Sequence, residues 1–113
     1  MDSILTSIKK LLGIAEEYEH FDGDLILHIN SVFSNLTLLG VGPSEGFSIT
    51  DKTSKWDDFI DDDDRLNQVK TYMHLRVKLI FDPPSSSAVM EAIKRESDKI
   101  EWLLHVVAET KQS

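Results

Sequence analysis

Apolar residues recur along this chain at helical spacing, in segments separated by polar or glycine-rich breaks. Ile4, Leu5, Ile8, Leu11 and Leu12 occupy one helical face, with Asp2 or Ser3 placed as an N-cap and Gly13 placed to end the helix. A polar stretch, Glu16 to His20, follows. Asp22 is then positioned to cap a second helix, whose Leu25, Ile26, Ile29, Val32, Phe33 and Leu36 form one stripe before Gly40.

Residues 40–55 hold three of the five glycines, one proline and many hydroxyl or acidic side chains, so the rhythm stops and a loop is predicted. Within it Gly46-Phe47-Ser48-Ile49-Thr50 alternates apolar and polar positions. That pattern fits a short extended segment or hairpin arm with Phe47 and Ile49 on one side, or two apolar anchors that pin the loop to the body.

Thr53-Ser54 is suited to cap a single helical turn carrying Trp56, Phe59 and Ile60, and Asp61 to Asp64 put negative charge at the start of a third long helix. Over residues 66–81 the apolar positions cover more than half of the helical circumference, which predicts a central helix or one that also meets another subunit. Asp82-Pro83-Pro84 must break it, because the second ring forbids helical conformation at the first and neither donates a backbone hydrogen bond. Ser85 to Ser87 then cap a last helix from about Ala88 to Glu109, striped by Val89, Ile93, Ile100, Leu103, Leu104 and Val107. The fold class expected is all-α: a small bundle of about four helices, with a C-terminal αα-hairpin and an irregular insertion between the second and third long elements.

Length supports one domain over residues 1–113. The 41% hydrophobic and 28% charged fractions fit a globular chain and not a disordered one. Twenty acidic against 12 basic residues give a net charge of -8, which disfavours broad binding to nucleic acid or an anionic membrane. With no cysteine, disulfides and thiolate chemistry are excluded. No apolar run approaches the ~20 residues of a membrane span, and the opening segment lacks the basic region of a secretory signal.

Candidate chemistry is sparse. His20, His28, His74 and His105 do not share the spacing of metal ligands on one helical face, and Asp61 to Asp64 lack the glycine and terminal glutamate of a calcium loop. Gly40-Val41-Gly42-Pro43 follows a helix and has no Gly-Lys-Ser/Thr, so it reads as a turn and not a phosphate cradle. No nucleophile sits in a catalytic context; no cofactor and no enzymatic activity are expected.

Two charges fall among apolar positions: Arg76 between Met73 and Ile80, and Glu96 between Val89 and Ile100. They are either a buried ion pair across the hairpin or two long side chains reaching solvent at the stripe edge. Trp56 and Trp102 fit core or rim positions, and Trp102, which projects away from the main stripe, is also a candidate subunit contact.

Several segments together resemble the tailed-phage head-tail connector proteins. They are Ile26 to Phe33, Leu39-Gly-Val-Gly-Pro43 with Gly46-Phe47, Trp56-Asp-Asp-Phe-Ile60, Val69 to Met73, Leu79-Ile-Phe-Asp-Pro-Pro-Ser85 and Glu101-Trp102. The resemblance covers nearly the whole chain, and its strength lies in the order of Trp-Asp-Asp-Phe-Ile and Phe-Asp-Pro-Pro-Ser. It implies a virion structural protein whose copies, monomeric or weakly oligomeric when free, form a ring beneath the portal and meet a tail or head-closure protein. Viral DNA would pass through the channel without specific binding, no membrane would be involved, and assembly would begin in the host cytoplasm. It further suggests Phe47, Ile49, Trp56 and Trp102 as contacts with a neighbouring subunit or the portal, with the insertion ordering on assembly. The residues alone also fit a small cytoplasmic interaction module, a regulator or inhibitor.

Overall fold

The computed structural model describes residues 3–60 and 63–112. Five helices follow in order: α1 (Ile4–Leu11), α2 (Asp22–Leu38), the single turn α3 (Trp56–Phe59), α4 (Asp63–Phe81) and α5 (Ser87–Gln112). The all-α expectation holds, and among the described residues there is no strand. The extended arm envisaged around Phe47 and Ile49 does not form; one isolated bridge, Ser3 to Lys55, is the nearest thing to a sheet.

The helix ends follow from local chemistry. Ser3 Oγ accepts from the Thr6 N–H at 3.2 Å and starts α1. Ser86 does the same for α5, its Oγ accepting from Val89 N–H at 3.3 Å. At α3 the Asp58 carboxylate accepts from the Lys55 N–H at 2.8 Å, so the cap comes from within the turn. Thr53 instead folds its amide and hydroxyl onto Asp51, which holds the Asp51 carboxyl below its ordinary range. Of the acidic run, Asp61 and Asp62 lie outside the described residues; α4 begins at Asp63.

The wide apolar arc on α4 has its explanation in packing, because α4 meets α1, α2 and α5. Its Leu66, Val69, Tyr72, Met73 and Val77 are buried against Leu25, Ile29, Val32, Phe33 and Leu36 of α2 and against Ile100, Leu104 and Ala108 of α5. The buried apolar residues of α5, Ile100, Leu104 and Ala108, all lie in its second half. Val89, expected in its stripe, is 48% exposed. Ser97 is fully buried with no partner for its hydroxyl, an orphan in the seam facing α4.

A buried lysine joins α1 to α2. Lys9 is 2% exposed, and its Nζ donates to the carbonyls of Glu16 (2.8 Å) and Tyr18 (2.7 Å) and lies 2.8 Å from Asp22 Oδ1. Two of the ammonium donors thus go to carbonyls, and the third contact is an ion pair. Asp22 is the first residue of α2 and not its cap, a correction of the sequence assignment: its carboxylate faces the ammonium, and Phe21 occupies the cap position without a side-chain bond.

The connection after α2 turns at Gly42. Its φ of +85° suits glycine, and an added Cβ would run into the Phe59 ring, 2.6 Å from Cζ.

Two stability outcomes follow. Lys9→Met should cost about 3 kcal/mol in urea unfolding, because two carbonyls lose their donor and the Asp22 carboxylate loses its counter-charge; a change below about 0.5 kcal/mol would mean the site is solvated. Gly42→Ala should cost about 2 kcal/mol through positive φ and overlap with Phe59, whereas the same change at Gly23, where a Cβ meets nothing within 4 Å, should be neutral or stabilising.

Candidate functional site

The connection from Leu39 to Lys55 carries most of the sequence-nominated contact residues, and it is bound tightly to the protomer. Asn30 on α2 pairs its side-chain amide with the backbone of Ile49: Nδ2 donates to the Ile49 carbonyl at 2.9 Å, and the Ile49 N–H donates to Oδ1 at 2.7 Å. This amide supplies the two hydrogen bonds that a neighbouring strand would otherwise make. Beside it Phe33 gathers the aromatic rings, with centroids of Phe47 at 5.0 Å, Phe59 at 4.7 Å and Trp56 at 6.4 Å.

Ile49 and Trp56 are therefore core residues of the protomer, at 2% and 0% exposure. Trp56 Nε1 donates to Ser7 Oγ at 2.8 Å and ties the turn to α1. Phe47 is half-buried, edge-on to Phe33 and Phe59. Of the two readings of this segment, an extended or hairpin arm and a pinned loop, the fold uses the second, because Asn30 on α2 already satisfies the Ile49 backbone.

Arg76 and Glu96 do not pair. Glu96 is exposed, and the Arg76 guanidinium lies 5.9 Å from the Tyr72 ring centroid, over its face. The carboxylate that does turn inward from α5 is Glu101. Its Oε2 accepts from the Tyr72 hydroxyl at 2.7 Å, and that hydroxyl accepts from Asn35 Nδ2 in turn. One hydrogen-bonded chain thus crosses α2, α4 and α5. Burial pushes the Tyr72 hydroxyl up to about 12, with the hydrogen bond and charge of Glu101 acting in the same direction. Nearby, a His105 ring nitrogen stands 3.5 Å from the Leu39 carbonyl.

Sequence reasoning missed Lys9, Asn30, Asn35, Tyr72 and Glu101 as organising polar groups. A legible signal existed for Lys9, which interrupts the apolar face of α1 beside Ile8; Asn30 and Asn35 gave none.

Trp102 stands apart. It is 62% exposed. On α2 and α4, Leu38 (84%) and Ile80 (52%) are also exposed, and they flank a groove of about 250 Å³ that includes Ser34 and Arg76. Isolated exposed apolar residues are ordinary, but an exposed indole and a groove with apolar walls are features of contact surfaces. Among the described residues no cluster of three or more His, Asp or Glu is placed to hold a metal ion, and no described helix is long and apolar enough to cross a membrane.

A family model described as phage connector protein matches residues 4–111. The chain belongs to the phage connector protein family. Comparison with curated proteins and with solved structures returned no match. For this connector, membership gives a structural role in a phage particle, and the matched span includes α1, the pinned insertion and the α4–α5 hairpin.

The polar chain makes the connector's alkaline stability testable. A free tyrosine ionises near ~10, while Tyr72 in the fold does so at about 12, so the folded state holds this proton more tightly. The stabilisation is present below about pH 10 and is lost as pH rises from there towards about 12. Tyr72→Phe should remove that slope, and absorbance titration should show one of the two tyrosines, Tyr18 and Tyr72, ionising late; joint ionisation at the ordinary value would contradict the arrangement.

Proposed function

We propose that this connector assembles as a ring between the portal and the tail, closing the DNA-filled head and presenting the surface to which the tail or a head-closure protein attaches. Its place is the head-tail junction of the virion, reached from the host cytoplasm during assembly. Family membership over residues 4–111 carries the reading. Two further observations support it. The insertion is already ordered within one copy by Asn30 and Phe33, so the unit suits assembly as a preformed block. Exposed apolar side chains such as Trp102, Leu38 and Ile80 lie on helices, where a rigid contact costs little ordering entropy.

A net charge of -8 suits a channel through which DNA slides. Each phosphate neutralised by a lysine or arginine adds affinity, and retention would oppose passage. The portal is the partner that sets copy number, since a preformed ring can template the next.

Electron microscopy of isolated portal mixed with the connector should show added ring-shaped density on the tail-facing end. Portal particles without added density, at connector concentrations well above those in an infected cell, would overturn the proposal.

A further inference from the structure

A closed ring of identical copies uses a head-to-tail contact, in which two different surfaces of each copy meet. The connector has such a pair. The first is the groove between α2 and α4, about 250 Å³, lined by Ser34, Leu38 and Ile80, with Arg76 as its only charged lining residue. The second is Trp102 on α5, with Asp98, also exposed, one helical turn earlier on the same face.

We propose that Trp102 of one copy seats in the α2–α4 groove of the next. This rests on the ring reading and adds the two surfaces that meet. Size permits it: a cavity of about 150 Å³ already admits a benzene ring, and the groove is larger. Chemistry selects it. Leu38 and Ile80 give the indole apolar walls, and removing three exposed apolar side chains from water favours the contact. The Arg76 guanidinium, already over the face of one aromatic ring in its own protomer, offers its free surface to a second. Asp98 then brings a carboxylate towards the groove's single cation. Tryptophan and arginine at the centre of a contact are the residue types that carry most binding energy at interfaces.

Two exposed-site variants test the seating without touching the core. Trp102→Ala removes the knob and leaves the groove; Ser34→Arg fills the groove and leaves the knob, Ser34 being exposed. Circular dichroism and unfolding midpoints should match the parent chain. Ring formation on portal, followed by native mass spectrometry and microscopy, should require at least ~10-fold more of either variant, the effect of losing ~1.4 kcal/mol per contact. Mixed without portal, the two variants should give a heterodimer that grows no further, because each supplies one intact surface. Parent-like rings from both variants would overturn this inference and leave the ring standing. No ring from the parent chain would overturn the ring and this contact together.

Discussion

Phe33 and Asn30, one turn apart on α2, determine what the rest of this molecule is free to do. Phe33 collects Phe47, Trp56 and Phe59 around one buried ring, and Asn30 takes both backbone groups of Ile49. A connection rich in glycine and hydroxyl residues is thereby converted from a costly loop into part of the core. Its ordering entropy is offset within one protomer, so association needs no folding step in that segment. The helices are left to provide the outer surface.

The second constraint is polar and crosses the bundle elsewhere. Apolar burial between α4 and its neighbours is non-directional and would tolerate small slips of one helix along another. The chain from Asn35 through Tyr72 to Glu101 does not. A buried hydroxyl and carboxylate that lose register lose their partners, at a cost comparable to a lost core contact. Lys9 acts likewise at the other end, where a desolvated ammonium is held by two carbonyls and Asp22. Specific geometry in this small bundle therefore comes from a few polar groups set into a generic apolar interior.

The helices were readable because amphipathic spacing survives local averaging. Ile4 to Leu12, the stripe of α2, the broad arc of α4 and the Pro83-Pro84 corner all translate directly into observed elements. What could not be read was which groups meet across distance in sequence. For Ile49 and Trp56 the sequence leaves both an inner and an outer role open, because the groups that decide are distant: Asn30, 19 positions away, and Ser7, 49 positions away. Arg76 and Glu96, which both interrupt apolar stripes, fit either a pair or two side chains reaching solvent; Glu96 faces solvent, and Glu101 turns in. Helical projection gives each side chain an angle on its own axis but not the rotation of one helix against the next, and a carboxylate five positions away changes the answer. Trp102 lies nearly opposite Ile100 on that projection, and the fold leaves it exposed.

The two indoles divide the protein's optical behaviour between them. Trp56, sealed beneath α1 with its nitrogen bonded to a serine, emits from an environment that persists only while the protomer is folded. Trp102, largely in water, emits from one that changes when another surface covers it. With no third tryptophan in the chain, its intrinsic fluorescence separates loss of native structure from occupation of the exterior, without an added dye.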